Sequence, residues 1–219
     1  MPAHLIPYLI AAIGGYLLGS IPFGVLVTRM GGVGDVRQIG SGNIGATNVL
    51  RTGRKDLALL TLLGDGGKGI VAVLIARAIG HRLFGADQGA IDAITAIAGG
   101  AAFLGHLFPV WLRFKGGKGV ATFFGVLLFA CWPAGVLAAL TWIGMALLFR
   151  ISSLAALTAA ALSPFFVLAG DQAHAFLILA VFMALLIFIR HRANIARLLK
   201  GEEPRIGGSK KAAEPSASA

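Results

Sequence analysis

Three short polar stretches interrupt an otherwise apolar chain, and their residue types suit the holding of anions. Residues 113–122 read RFKGGKGVAT, with Gly116, Gly117 and Gly119 around Lys118. Glycine lets a backbone N–H approach an anion closely. A helix starting just after such a loop adds unpaired N–H groups and a positive dipole end. Arg113, Lys115 and Lys118 add full charge. A nucleotide P-loop is excluded, because Lys118 is followed by glycine rather than Ser or Thr, and Leu112 stands where the first glycine belongs. The plainer reading is a short basic connection at a membrane face.

Residues 40–51, GSGNIGATNVLR, place Ser41, Asn43, Thr47 and Asn48 among three glycines ahead of Arg51. Arg51 has the geometry to bind a phosphate through two parallel hydrogen bonds. A tight turn whose side chains only satisfy local backbone is the alternative. Residues 190–205, RHRANIARLLKGEEPR, repeat His191, Asn194 and Leu198 at helical spacing. Histidine is the side chain most easily used for proton transfer near neutral pH. The same pattern also describes a basic amphipathic helix lying on lipid headgroups. Asp65 and Lys68 lie three apart inside an apolar window, where charges pair with each other or mark a functional cavity. His106, just upstream of the glycine–lysine loop, reads most simply as a helix histidine bonded to a neighbouring carbonyl.

Other chemistries are missing. Single Cys131 excludes a disulfide framework and any cysteine metal cluster. No metal-ligand spacing or Ser–His–Asp order stands out, so neither a metal, a cofactor nor a covalent enzyme intermediate is expected.

The elements that must position these clusters are membrane helices. Hydrophobic residues make up 57% of the chain and charged residues 13%, against about 25% charged in a soluble domain. Uncharged apolar windows at 5–28, 93–112, 119–149, 151–170 and 172–189 approach or exceed the roughly 18–20 residues that a membrane helix needs. The N-terminus lacks the basic start and cleavage site of a signal peptide, so the first window reads as a retained span. The 31 residues from Gly119 to Phe149 are too long for one span, at about 46 Å against a hydrocarbon core of about 30 Å. Cys131-Trp132-Pro133 offers a break, giving spans near 3–28, 56–80, 91–112, 118–131, 133–149, 152–170 and 172–190. All of the 19 Lys and Arg except Lys68, Arg77 and Arg82 then fall on one face.

The positive-inside rule therefore predicts an all-α polytopic membrane protein with seven transmembrane helices, N-terminus out and C-terminus in. The net charge of +10 follows from that topology and from anionic lipid. Nucleic acid is not expected as a partner. Residues 1–206 form a single transmembrane domain, and 207–219, polar and proline-containing, a disordered cytoplasmic tail. GDGGKGIVAV at 64–73 echoes KGGKGVATFF at 115–124, too short a likeness to establish duplication.

At these clusters the chain resembles the bacterial acyl-phosphate-dependent glycerol-3-phosphate acyltransferases, the PlsY family. The likeness is carried by residues 40–51, the Asp65–Gly69 segment, GHLFPVWLRFKGGKGVAT at 105–122 and RHRANIARLLKGEEPRI at 190–206. It runs through nearly the whole chain except the last dozen residues. Two departures are Ala193, where an acidic residue is common, and two glycines between Asp65 and Lys68.

The resemblance implies transfer of a fatty acyl group from acyl phosphate to glycerol 3-phosphate, giving 1-acyl-glycerol 3-phosphate and phosphate. It implies that Ser41 and Arg51 are essential and that Gly116, Gly117, Gly119 and Lys118 form the glycerol-phosphate site. His191 and Asn194 would contribute to activity. Lys115, Asn43, Thr47, Asn48 and Lys68 are expected to complete the phosphate site, with Asp65 and Glu203 structural. The expected setting is the bacterial inner membrane, the site facing the cytoplasm, with membrane lipid and a soluble acyl-phosphate-producing enzyme as partners. The His-x4-Asp pair of the other large glycerolipid acyltransferase class is missing: His81 and Asp87 have five residues between them. A transporter or flippase for an anionic metabolite or lipid is the competing class, supported by Asp65 and Lys68 in mid-span.

Overall fold

The computed structural model describes residues 5–170 and 173–207, and every regular element among them is helical. The tail expected to be disordered lies outside the described residues, apart from Gly207. Helix α1 (Ile6–Gly19) runs into α2 (Phe23–Met30), and a single turn α3 (Ala46–Val49) sits in the loop that follows. Then come α4 (Lys55–Phe84), α5 (Gln88–Leu107), α6 (Val120–Ala130), α7 (Trp132–Phe149), α8 (Ser152–Ala169), α9 (His174–Arg190) and α10 (Arg192–Leu199).

Five segments are long and apolar enough to cross a membrane: 6–30, 55–84, 88–112, 132–149 and 152–169. Helices α9 and α10, bent by 64° at His191, make a sixth when taken together. The expected break at Cys131 is present, and Pro133 stands at the start of α7, where its missing N–H costs nothing. Two details go beyond the expected spans. The first crossing, 6–30, is kept, but it is divided into α1 and α2 by a break at 20–22, with Pro22 capping the start of α2. Helix α6 has only 11 residues, about 16 Å of rise, roughly half a hydrocarbon core.

Without a hydrophobic force between helices in lipid, close backbone approach must hold the bundle. Gly15 and Gly19 on α1 lie directly against the Ala98 and Ala102 carbonyls of α5, leaving no room for a side chain. Gly125 on α6 meets Gly66 on α4 in the same way. The short α6 is fixed at both ends to α4. Thr122 Oγ1 donates to the Asp65 carbonyl at 2.8 Å near its start, and Arg77 Nη2 donates to the Ala130 carbonyl at 2.8 Å at its end. Phe103, Phe123, Leu127, Met183 and Ile187 fill the centre. At one end of the bundle, Ile206 N donates to the Arg150 carbonyl at 2.6 Å and Arg150 Nη2 returns a bond to Ile206 O at 3.0 Å. That strap ties the C-terminal segment to the α7–α8 corner.

Candidate active site

Asn48 organises the loop ahead of α4. Its amide is buried, with Nδ2 within 3.1 Å of the Val36 carbonyl, 2.9 Å of Ile39 and 2.8 Å of Asn43. Its Oδ1 accepts from Ser41 N at 3.0 Å and Ser41 Oγ at 3.2 Å. Asn48 therefore shapes the loop rather than offering a free donor. Gly40 must be glycine here: its φ is +56°, and a Cβ would stand 2.6 Å from Asn48 Oδ1. The loop presents Ser41, Asn43, Thr47 and Arg51 to a cavity. Asn43 Oδ1 also receives Gly45 N at 3.3 Å. The Arg51 guanidinium has no hydrogen-bond partner among the described residues.

The glycine–lysine loop departs from expectation. Gly116 N donates to Leu107 O and Gly117 N to His106 O, both at 3.1 Å, so these amides close the C-terminal end of α5. Their carbonyls accept from Arg190, Nη2 to Gly116 at 2.8 Å and Nε to Gly117 at 3.1 Å. Helix ends leave orphan carbonyls that need donors, and the two glycine amides meet that need. Gly116 and Gly117 are a clasp with no free N–H for a phosphate, and Lys115 is exposed and outside the cavity lining. Lys118 and Gly119 do face the cavity, with the first residues of α6.

A hydrogen-bonded chain then aims Lys118. Its Nζ donates to Asn194 Oδ1 at 2.5 Å, and Asn194 Nδ2 donates to Glu203 Oε1 at 2.5 Å. Ser153 Oγ reaches the same oxygen at 2.7 Å, while Arg197 Nε holds Oε2 at 2.7 Å. Burial favours the neutral form of Glu203, but the bonds from Ser153, Asn194 and Arg197 outweigh it and hold its pKa below the ordinary value. Burial lowers the Lys118 pKa to about 8, against the attraction of Glu203 and with help from Arg197, Arg51 and Arg190. His191, at the α9–α10 bend, is buried, and its Nδ1 lies 2.8 Å from Ile187 O. A carbonyl only accepts, so Nδ1 carries the proton and Nε2 keeps its lone pair. Burial, then Lys118, pushes the imidazole down to about 4.

Lys68 also needs correction as a phosphate ligand. It is buried, its Nζ donates to Asp65 Oδ1 and to the Ile21 carbonyl, both at 2.9 Å, and it does not line the cavity. Asp65 does line it, as does His106, whose Nδ1 stands 3.4 Å from Asp65 Oδ1 without hydrogen-bond alignment.

The cavity encloses about 680 Å³ and has two parts. The polar part joins Ser41, Arg51, Lys118, His191, Asn194 and Arg197. The apolar part runs between Leu59 and Leu62 of α4, Phe124 of α6 and Trp142 and Ile143 of α7. Leu59 is 55% and Ile143 48% exposed, so this arm opens sideways, out of the bundle. Sequence reasoning missed Lys55, Ser153, Trp142 and Arg197 as lining residues and passed over His106. Only the run of three basic residues at Arg51, Arg54 and Lys55 signalled any of these.

A helical membrane protein with a cationic pocket opening into a lateral apolar groove is a handler of anionic amphiphiles. The comparisons make this specific. Residues 9–201 match the glycerol-3-phosphate acyltransferase family, and the chain belongs to that family and is a transferase of lipid synthesis. It is 69% identical over 205 residues to a glycerol-3-phosphate acyltransferase of Caulobacter vibrioides strain NA1000, covering 94% of this chain and 90% of that one. It is 58% identical to one of Rhodospirillum rubrum over 216 residues, covering 97% and 96%. Among solved structures it resembles PlsY (YgiH), an integral membrane glycerol 3-phosphate acyltransferase. Its glycerol 3-phosphate form matches with TM-score 0.81 and 40% identity, over 91% of this chain and 96% of that one. Its lysophosphatidic acid form matches at 0.80 and 38%, over 91% and 95%.

Proposed function

We propose that the chain transfers a fatty acyl group from acyl phosphate to sn-glycerol 3-phosphate, releasing 1-acyl-glycerol 3-phosphate and phosphate. The observation that carries this reading is the junction of Arg51, without a hydrogen-bond partner among the described residues, and the aimed Lys118 with an apolar arm open to the side. Two anionic heads meet at the cations, and the donor's acyl chain lies along the groove between α4 and α7. The acceptor hydroxyl attacks the acyl carbon, the carbon–oxygen bond to phosphate breaks, and phosphate departs with the bonding electrons. Catalysis then rests on alignment and on neutralising charge.

The setting of His191 supports one route for the proton. Its Nδ1–H is committed to the Ile187 carbonyl, and burial beside the Lys118 cation disfavours the imidazolium that a general base must become. A phosphate oxygen of the donor therefore takes the proton, and His191 Nε2 serves to orient the hydroxyl. Ser41 and Arg51 hold one phosphate, Lys118 and Gly119 the other. Asn43 and Thr47 stand at the rim, with Asn48, Asp65, Lys68 and Glu203 as supports.

The bundle is read as seven crossings, with α6 a half-length pass, the N-terminus outside and the site on the cytoplasmic side of a bacterial inner membrane. The basic loops support that orientation, and residues 1–206 act as one domain. The donor comes from a soluble acyl-phosphate-producing enzyme on the same side. A carrier loses its support from Asp65 and Lys68, which pair with each other. The direct test is turnover of the purified chain with palmitoyl phosphate and glycerol 3-phosphate, with palmitoyl-CoA as control donor. Product from acyl phosphate alone is expected; equal use of the thioester would overturn the donor assignment.

A further inference from the structure

A second cavity, of about 420 Å³, lies between α2 and the turn Val110–Leu112 and shares no lining residue with the first. Its walls are Ile21, Val25, Leu26, Trp111 and Leu112, and Arg29 is its only charged lining residue. Leu26 is 42% and Trp111 63% exposed, so the groove opens outward from the bundle. Ile21 lies just before the start of α2 and Arg29 in its last turn, so the lining runs from apolar to cationic along α2. Tryptophan favours the level of the headgroups.

The Arg29 end carries surplus positive charge. Asp35 receives both Arg29, at 3.0 Å, and Arg37, at 2.6 Å, so one carboxylate serves two guanidiniums. Arg113 and Lys115, one and three residues after Leu112, are exposed and have no carboxylate partner among the described residues. Basic pockets between membrane helices recognise anionic headgroups.

We propose that this groove binds an anionic phospholipid that is neither donor nor acceptor in the transfer. One acyl chain lies against Ile21, Leu26 and Trp111, and the phosphate meets Arg29 and Arg113. The groove touches the site from two sides. The Ile21 carbonyl in its wall accepts Lys68, the partner of Asp65. Trp111 lies five residues before Gly116, the start of the clasp that leads to Lys118. A lipid seated there stiffens both supports.

The test uses the full chain in detergent with equimolar phosphatidylglycerol and phosphatidylcholine of matched acyl chains, with retained lipid counted by native mass spectrometry. At about 1 kcal/mol per basic residue near a headgroup, two cations give a preference of about tenfold or more for the anionic lipid. One phosphatidylglycerol per chain is expected. Leu26→Trp, which fills the groove, should abolish it, the pair Arg29→Ala with Arg113→Ala should leave the two lipids equally retained, and Leu26→Met should keep the preference. Thermal unfolding reports that each variant is folded. Equal retention of both lipids by the unaltered chain overturns the charge argument, and retention unchanged in a folded Leu26→Trp variant overturns the site.

Discussion

Replacing Gly117 with alanine sets one methyl group against the His106 imidazole. The three nearest atoms are all ring atoms: Cε1 at 2.9 Å, Cδ2 at 3.1 Å and Nε2 closer still. The ring is 3% exposed with Asp65 on its far side, so relief comes only by displacing it toward the cavity that it lines. The loop cannot yield freely, since its amides are held by α5 and its carbonyls by Arg190. Overpacking of this kind costs about 1–3 kcal/mol, and the displacement passes to the next residue, Lys118. If that whole cost appears in the transition-state complex, kcat/KM falls about 5- to 150-fold, most of it in the KM for glycerol 3-phosphate. Steady-state kinetics in nanodiscs, with thermal unfolding alongside, measure both parts. His106→Ala removes the ring that the methyl strikes, so in the double variant the two changes should couple favourably by about 1 kcal/mol or more. Additivity within about 0.5 kcal/mol would refute the steric reasoning. Unchanged kinetics in Gly117→Ala would refute the clasp.

The Lys118 pKa is lowered to about 8, so its cationic form is lost as pH rises through that value. The KM for glycerol 3-phosphate should rise about tenfold between pH 7 and pH 9, and Lys118→Arg, which stays charged, should flatten the profile. His191→Ala should lower turnover by about 2- to 13-fold, the loss of one hydrogen bond of about 0.5–1.5 kcal/mol. A fall of about 100-fold or more would make it the general base. Cysteines introduced at Asn43, Lys115 and Arg192 should resist impermeant thiol reagent in intact cells, while one at Gln88 should react; the reverse pattern inverts the topology.

What the sequence revealed and concealed divides along physical lines. The break at Cys131 was legible because helix length is arithmetic and Pro133 is a start signal. The break at Pro22 was hidden inside a window whose composition is uniformly apolar. Glycine next to lysine announces close backbone approach but not which partner approaches, and at Gly116 and Gly117 the partner is the end of α5 rather than a phosphate. Asp65 and Lys68 at three-residue spacing announced their own pairing. The Glu203–Asn194–Lys118 chain joins positions 118 and 203, and no local pattern encodes that distance.

The strap between Arg150 and Ile206 has a practical side. Glu203 and Ile206 belong to a stretch without helix, yet one aims Lys118 through Asn194 and the other pins the α7–α8 corner. An affinity tag joined at Lys200 would remove both, while one joined beyond Gly207 leaves them in place. A carboxypeptidase would likewise silence the protein by trimming a segment that no helix protects, with every membrane pass still intact. Expression level and membrane insertion would then look normal in a preparation that makes no product.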